Sequence, residues 1–402
     1  SGHHDLFKQG PFFQFTHRLI ETNQYCCMRK IVVTYLVSTL GRTGPTNQLF
    51  NLVSRLDRSS FIARIVTIST EPNDSRICDF RKLGISVVTL KRSRLGSIFL
   101  GSASLSRILE TNPTDVLHSQ GIRADFLSSL SRQPCARIST QRNDPFQDYP
   151  KLFGTTAGSI AARLHKTILL NIPHVISCSF SIEDANVRRG IPCLTIQNGI
   201  STDHTFLVPR KTKLATRARL GLPQKPLLFI SVGPLIYRKN ALNLIRAFGQ
   251  AANPSARHLV LLGAGPLMAK VQRLTEEFKN VTAIGHVENV DEYLQAADCF
   301  LSASESEGLP NAVIEALAWG LPFILSNIPA HREIQLIRNE AGDLFPLRDH
   351  RVLTELIENF VPSDEATFAA RSIASETLNA NVMARRYQDL YESVVKRSTT
   401  HE

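Results

Sequence analysis

Residues 305–327 read ESEGLPNAVIEALAWGLPFILSN and carry the strongest structural signal in the chain. Pro310 suits the first turn of a helix and Gly320 its end, after which an apolar run begins. Another apolar run, CFLSAS at residues 299–304, precedes this helix. A strand, a short helix and a second strand in this order predict a βα unit of a parallel sheet.

Similar units repeat on both sides of this stretch. Seven strand patterns precede the basic segment PRKTKLATRARLGLPQKP, residues 209–226, and five follow it. This repetition predicts an α/β protein with two Rossmann-like, doubly wound parallel-sheet domains that face an interdomain cleft. The predicted parts are an N-terminal extension or expression remnant at 1–27, a first domain at 28–205, a second domain at 206–380, and a closing helix and tail at 381–402.

The charge balance indicates an anionic partner. The 402 residues include 46 Lys and Arg against 35 Asp and Glu, a formal net charge of +11. Nucleic acid, an anionic membrane surface and a phosphorylated small molecule all fit that charge. The basic residues are scattered and accompany no nucleic-acid motif, which disfavours nucleic acid. No apolar stretch approaches the roughly 18 residues of a membrane-spanning helix.

The cysteines and the first residues bear on location. Seven cysteines form an odd count without a CxxC pair, which is typical of free thiols in a reducing compartment. Residues 1–27 lack the basic start, apolar block and cleavage site of a secretory signal, and His3 and His4 carry no functional weight. We therefore expect a cytoplasmic protein, with peripheral attachment to the inner face of the cell membrane as the alternative.

Two glutamates flank the start of the helix that Pro310 begins. Glu307 lies in the loop before it and Glu315 lies inside it, so the two carboxylates need not share a helix face. The helix N-terminus follows a strand, which places its free N–H groups at the cleft. These groups favour a diphosphate, because unpaired donors and the helix dipole both attract negative charge.

A second set of charged residues occurs in SVGPLIYRKNALNLIRAF, residues 231–248. This stretch predicts a strand, a glycine turn and a helix entered near Asn240. Arg238 and Lys239 stand just before the helix. Cations are unfavourable at a helix N-terminus unless an anion is nearby, so the pair indicates phosphate binding.

The words EGLPN, EALA and GLP resemble family 4 of the retaining glycosyltransferases, whose signature is Glu, seven residues, then Glu. The resemblance implies the GT-B fold, and it implies that Glu307 contacts hydroxyls of the donor sugar while Glu315 binds the nucleotide ribose. It further implies a metal-independent hexosyltransferase that moves a sugar from a UDP- or GDP-sugar to a glycan or lipid-linked acceptor, in surface polysaccharide, lipopolysaccharide or capsule biosynthesis.

The glycine turn both matches the family and departs from it. Lys239 falls on the family lysine that holds the diphosphate, but Pro234 occupies the family arginine position. Arg238 is the candidate replacement. After the fifth predicted strand, Arg142 stands where many relatives have a histidine; it stays protonated, so it cannot act as a base but can steady a phosphate or an anionic acceptor.

Two further positions are candidates in the first domain. The loop TLGRTGPTNQ, residues 39–48, resembles the family loop that faces the donor diphosphate and the acceptor. His118 ends the strand DVLHSQ, where it either reaches the cleft or is a structural histidine. The resemblance thus implies catalytic Glu307, Lys239 and Arg238; donor-binding Gly44, Gly233, Gly285, His286, Val287, Gly308, Leu309, Pro310, Asn311 and Glu315; acceptor-side Gly41, His118 and Arg142; and neither metal nor cofactor.

Two other classes of function stay open at this point. A nucleotide-sugar epimerase or hydrolase of the same fold would use its donor without an acceptor. A basic membrane-binding or nucleic-acid-binding module without enzymatic activity would use only the charge. Residues 151–172, KLFGTTAGSIAARLHKTILLNI, mix basic and aliphatic residues at helical spacing, so they predict either a helix on an anionic bilayer or one packed on the sheet.

Overall fold

The computed structural model describes residues 29–91, 101–205, 207–251 and 253–399. The predicted extension at 1–27 therefore lies outside the described residues. Within the described part, no helix is both long and apolar enough to cross a membrane.

The first domain is built on a parallel sheet of seven strands in the order β3-β2-β1-β4-β5-β6-β7. Its central strands are mostly buried, as expected for a parallel sheet covered by helices on both faces, whereas the two edge strands are partly exposed. The strands are β1 (Ile31–Val37), β2 (Phe61–Thr67), β3 (Ser86–Thr89), β4 (Val116–Ser119), β5 (Ala136–Gln141), β6 (His174–Ser177) and β7 (Leu194–Thr195).

Helices connect these strands. The described ones are α1 (Gly44–Val53), α2 (Ile77–Lys82), α3 (Gly101–Thr111), α4 (Ile122–Ser129), α5 (Pro145–Phe153), α6 (Thr155–Leu169) and α7 (Phe180–Arg188). Side-chain caps explain several starts: Thr43, Asp144 and Ser179 each accept a hydrogen bond from a backbone N–H of the helix that follows.

The second domain is built on a parallel sheet of six strands in the order β10-β9-β8-β11-β12-β13. The strands are β8 (Leu227–Val232), β9 (Arg257–Leu262), β10 (Val281–Gly285), β11 (Cys299–Ser302), β12 (Phe323–Ser326) and β13 (Gly342–Phe345). The helices are α8 (Arg210–Arg219), α9 (Ala241–Gln250), α10 (Met268–Glu276), α11 (Val290–Ala296), α12 (Asn311–Ala318), α13 (Pro329–Gln335), α14 (His350–Asn359) and α15 (Asp364–Ser372).

The last helix, α16 (Ala380–Thr399), returns to the first domain. Met383, Tyr387 and Tyr391 are buried in the same apolar cluster as strand β1. The Tyr391 hydroxyl also lies 3.1 Å from that of Tyr35. The end of the chain is thereby part of the first domain's core, although it follows the second domain in sequence.

The two doubly wound parallel sheets confirm the predicted fold class. Each of the twelve predicted strands coincides with an observed one, whereas β13 was missed. The domain boundary near residue 205 stays a prediction; the first sheet ends at Thr195 and the second begins at Leu227. In both sheets the strand order reverses at one point, between β1 and β4 and between β8 and β11, and such points are where open α/β sheets bind ligands.

Candidate active site

The turn after β8 places Arg238 and Lys239 at the reversal point of the second sheet. Backbone approaches backbone closely here: a Cβ on Gly263 would lie 1.9 Å from the carbonyl oxygen of Gly233. Tyr237–Lys239 form one 3₁₀ turn, and Asn240 follows with a left-handed φ of +52°. Asparagine tolerates that conformation better than most residues. The chain thus reverses sharply before α9, with both cations on the turn.

Glu307 lies in the loop after β11 and meets both cations. Its Oε1 is 2.5 Å from Lys239 Nζ, and its Oε2 is 3.0 Å from Arg238 Nη1. The glutamate side chain is 8% exposed. Burial opposes ionisation, but the charges of Lys239 and Arg238 outweigh it and lower the pKa of Glu307 to about 2. The carboxylate is therefore ionised at neutral pH and fixes both cations in the cleft.

A cavity opens beside this ion-paired cluster. Its lining includes Gly233 and Lys239 from the turn after β8, and Ser302 and Ser304 from the end of β11 and the loop that follows it. Pro234, at the family arginine position, is exposed and also lines it. Because Lys239 is the cation of that lining, the cavity can accept an anionic group next to the Glu307 carboxylate.

Glu315 lies on α12, one helix turn beyond the start, and is half-buried. Burial, with a smaller contribution from the Asp291 carboxylate, raises the pKa of Glu315 to about 7, and Lys239 acts in the opposite direction. Among the described residues, no cation lies within ion-pairing distance of it. The two glutamates of the signature therefore differ in pKa, so that Glu307 is ionised at neutral pH whereas Glu315 is partly protonated.

Asn311, the first residue of α12, joins the two domains. Its Oδ1 accepts hydrogen bonds from Gln48 Nε2 at 3.1 Å and Asn198 Nδ2 at 3.0 Å. Its Nδ2 donates to the Gly44 carbonyl at 3.2 Å. A Cβ on Gly44 would lie 3.0 Å from that Asn311 nitrogen. The predicted donor-binding residues Gly44 and Asn311 are thus in contact across the cleft.

Arg142 also reaches this interdomain contact. A Cβ on Gly308 would lie 2.0 Å from the Arg142 carbonyl oxygen, so the position needs glycine for close approach. The guanidinium donates to Asn198 Oδ1 at 2.5 Å and to Gln120 Oε1 at 3.4 Å. Its Nη2 is buried and has no hydrogen-bond partner among the described residues. Arg142 therefore retains one donor nitrogen, with two N–H groups, for a group that the described residues do not supply.

His118 does not lie in the cleft. It is fully buried, and its Nδ1 and Nε2 lie 2.8 Å from Tyr391 Oη and 2.7 Å from Thr140 Oγ1. Burial, with a smaller effect of Arg142, lowers the pKa of His118 to about 3. The alternative of a structural histidine fits this geometry, and the acceptor-side role does not, because β4 directs the ring into the core under α16.

The remaining predicted residues are glycines, apolar residues and one exposed histidine. Gly41 is buried in the loop before α1. Gly285 ends β10 with a φ of +94°, His286 is exposed, and Val287 packs against the core of the second domain. Leu309 and Pro310 are buried ahead of α12.

Two side chains of α13 were not predicted. Glu333 accepts hydrogen bonds from the backbone N–H groups of Phe180 and Ser181, each at 3.0 Å, and from Gln197 Nε2 at 2.7 Å. His331 is fully buried, and its Nδ1 donates to the Ser326 carbonyl at 2.8 Å. An acidic residue just inside a helix that Pro329 begins was the available signal for Glu333, but its partners lie about 150 residues away in sequence.

These features define the class. Two Rossmann-like domains that face one cleft are the GT-B glycosyltransferase fold. In this chain, two cations and a glutamate lie at the reversal point of the second sheet. Residues 212–374 match the family model "Glycosyl transferases group 1", which confirms the family resemblance. The match lies within the second domain, and the chain is a glycosyltransferase.

Relatives extend the similarity over both domains. The O-antigen biosynthesis glycosyltransferase WclY of Escherichia coli is 24% identical over 90% of this chain and 99% of its own. A second Escherichia coli protein, the UDP-Gal:alpha-D-GlcNAc-diphosphoundecaprenol alpha-1,3-galactosyltransferase, is 27% identical over 73% of this chain and 79% of its own. Similarity at this level covers the first domain as well as the group 1 region.

Solved structures agree on the fold. Sucrose-phosphate synthase from Thermosynechococcus elongatus superposes with a TM-score of 0.76 at 20% identity, covering 92% of this chain and all of the other. Anabaena HepE in complex with UDP gives a TM-score of 0.75 at 16% identity, covering 90% of this chain and all of the other. At these identities the likeness shows the fold alone.

Proposed function

We propose that this chain transfers a sugar, with retention of anomeric configuration and without a metal ion, from a UDP- or GDP-sugar to a glycan or lipid-linked acceptor. The observation that carries the proposal is the contact of Glu307 with both Lys239 and Arg238 beside the cavity. A nucleotide sugar offers a diphosphate for the cations and hydroxyls for the carboxylate, so one ligand can satisfy all three groups.

The cations act on the leaving group. As the bond between the anomeric carbon and the phosphate oxygen breaks, negative charge grows on the diphosphate. Lys239, Arg238 and the N–H groups at the start of α12 are fixed near where that charge forms, which favours the transition state. Each such donor typically contributes about 2.7–4 kcal/mol to the barrier.

Retention needs no protein base in this proposal. The acceptor hydroxyl attacks the same face of the sugar from which the diphosphate departs. Its oxygen bonds to the anomeric carbon, and its proton passes to the leaving phosphate oxygen. The glycoside and the nucleoside diphosphate are the two products, so atoms and charge balance.

The names of relatives support the acceptor class. One relative acts in O-antigen biosynthesis, and another transfers galactose to a diphosphoundecaprenol-linked sugar. We propose by analogy that this chain builds a surface polysaccharide, lipopolysaccharide or capsule at the cytoplasmic side of a membrane. Arg142, with its unpaired buried donor, is the proposed contact to an anionic group of the substrates.

The experiment is a binding and turnover screen against UDP-, GDP- and ADP-sugars, with Glu307→Ala and Lys239→Ala. Lys225→Ala, an exposed lysine of the same domain, is the matched control. Selective binding of one donor, weakened by both site variants and unchanged in the control, supports the proposal. Nucleotide release without a glycoside would instead favour a hydrolase or an epimerase, and absence of binding would favour a non-enzymatic module.

A further inference from the structure

Helices α5 and α6 form a hairpin that exposes large apolar side chains. Leu152 is 69% exposed, Phe153 59%, Ile160 61% and Leu164 56%. We call these four residues the hairpin patch. Ile160 and Leu164 are four residues apart on α6 and share a helix face, while Leu152 and Phe153 end α5. Clustered exposed apolar side chains of this kind mark an interaction surface.

From residue 149 onward, the charged residues of the hairpin are all basic. Residues 149–182 include no Asp or Glu, whereas Lys151, Arg163 and Lys166 lie among the apolar residues. Arg163 is exposed directly beside Leu164. A surface that combines aliphatic side chains with cations is complementary to an anionic bilayer, because the apolar groups enter the acyl boundary and the cations meet phosphates.

The hairpin is firmly held from its buried side. A Cβ on Gly158 would lie 2.3 Å from the Tyr149 carbonyl oxygen, so the two helices are in contact. The Tyr149 hydroxyl lies 2.9 Å from His165 Nδ1, and His165 Nε2 lies 2.8 Å from the buried Asp125 carboxylate. This buried chain of hydrogen bonds anchors α5 and α6 to α4, which leaves the hairpin patch on a fixed outer face.

The same hairpin borders the active-site cleft. Lys151 Nζ lies 3.6 Å from a Glu305 carboxylate oxygen, and Asp148 Oδ1 lies 3.5 Å from Ser306 Oγ. Glu305 and Ser306 directly precede Glu307. The end of α5 that carries Leu152 and Phe153 is therefore adjacent to the loop that holds the proposed sugar contact.

We propose that the hairpin patch docks on an anionic phospholipid bilayer and holds the cleft at the membrane surface, where a lipid-linked acceptor would be presented. The docking goes beyond the proposed transfer reaction, because it does not depend on which sugar or nucleotide is used. Ile160 and Leu164 enter the acyl boundary, and Arg163 with Lys166 faces the lipid phosphates.

The experiment is sedimentation of the full chain with vesicles of phosphatidylglycerol and phosphatidylethanolamine, and separately of phosphatidylcholine. The patch variant is Ile160→Ser with Leu164→Ser. The matched control is Leu336→Ser with Val361→Ser, which removes two apolar side chains of the second domain that are even more exposed. Binding of the donor identified in the screen, measured by calorimetry, tests independently of the vesicles whether each variant is folded and has an intact cleft.

We expect binding to the anionic vesicles that weakens with added salt, a loss of about tenfold or more in the patch variant, and no loss in the control. Donor binding should be unchanged in both variants. Vesicle binding that survives in the patch variant would overturn the docking proposal. So would absence of binding to every vesicle, or a patch variant that only separates a dimer of this chain. Absence of donor binding by the wild type would instead contradict the proposed function and leave the docking proposal to the vesicle data.

Discussion

The charge of Glu307 is satisfied by two cations, Lys239 and Arg238. The carboxylate fixes the side chains of Lys239 and Arg238, which would otherwise repel one another at the cleft. The same contact keeps Glu307 ionised, so that it can accept hydrogen bonds from sugar hydroxyls. One residue thereby organises the cations and remains available to the substrate.

Glu307→Gln should lower both the free energy of unfolding and the rate of sugar transfer. The pKa of Glu307 is lowered from 4.5 to about 2. The ion pairs therefore contribute stability above about pH 4.5, and that contribution disappears as the pH falls through 2. At pH 7 we expect a loss of about 2–3 kcal/mol in the free energy of unfolding, measured by urea denaturation, and the loss should shrink toward pH 2.

Glu340→Gln is the control for that substitution, since Glu340 is exposed in the same domain. Equal unfolding free energies of Glu307→Gln and wild type at pH 7 would contradict the role of the ion pairs.

We predict that Glu315 releases a proton when a nucleotide sugar binds. Its pKa is raised to about 7, so near pH 7 about half of the molecules carry a protonated Glu315. Accepting two hydrogen bonds from ribose hydroxyls favours the ionised form, which lowers the pKa in the complex. Calorimetry with a UDP- or GDP-sugar at pH 7 should show an enthalpy that depends on the buffer, corresponding to release of about half a proton.

Glu315→Gln should abolish this dependence while leaving the fold intact. An enthalpy that is the same in phosphate and Tris buffers for the wild type would argue against Glu315 as the ribose contact.

The sequence placed Glu307 and Lys239 at the cleft of the second domain, each after a strand, but it did not predict that they contact each other. The direct ion pair depends on the 3₁₀ turn and on the left-handed Asn240. His118 shows the opposite case: its place at a strand end was clear, but its burial depends on Tyr391, 273 residues later.

At the scale of elements, the loop between β11 and α12 is in contact with the first domain. Gly308 of this loop lies against the backbone of Arg142. A short βα loop with glycine at this point lets the two domains approach while the start of α12 stays free for an anion. The loop therefore couples domain contact to the position of Glu307.

Gly308→Ala should disrupt this coupling. The added methyl group would lie 2.0 Å from the Arg142 carbonyl oxygen, so the domains or the loop must shift. We expect a loss of about 1–3 kcal/mol in stability or a tenfold or greater rise in donor KM. Gly44→Ala is the graded comparison, because its methyl group would meet one side-chain nitrogen at 3.0 Å. Wild-type KM and stability in Gly308→Ala would refute the requirement for close approach.

Twelve strands could be predicted because long Val, Ile and Leu runs are typical of buried parallel strands. Strand β13, GDLF, could not, since it is four residues long and begins with Gly and Asp, which rarely favour strands. It forms through pairing with β12 alone at the edge of the sheet. Such a strand is specified by its neighbour and not by its own composition.

At the scale of the whole molecule, polar contacts hold the two domains together across the cleft. Asn311 reaches Gln48 and Asn198. Glu333 accepts two hydrogen bonds from backbone N–H groups at the start of α7 and a third from the Gln197 side chain. A carboxylate at a helix N-terminus is favourable because of the free N–H groups there. These contacts hold the two domains together with hydrogen bonds that water can replace, which suits a cleft that must admit substrates.

Glu333→Ala should shift the molecule toward a more open arrangement. It removes three hydrogen bonds to a charged acceptor, each of which typically contributes about 1.5–3 kcal/mol. Small-angle X-ray scattering should show a larger radius of gyration for the variant, and added donor should reduce it. Glu340→Ala should scatter like the wild type. An unchanged radius in Glu333→Ala would show that other contacts determine closure.

The most direct test of the central claim is the anomeric configuration of the product, followed by NMR with the donor from the screen, a glycan or lipid-linked acceptor and a metal chelator. Our account predicts a new glycoside with the donor's configuration, formed in equal amount with the nucleoside diphosphate, at a rate that the chelator does not change. An inverted product, or nucleoside diphosphate released without any glycoside, would contradict it.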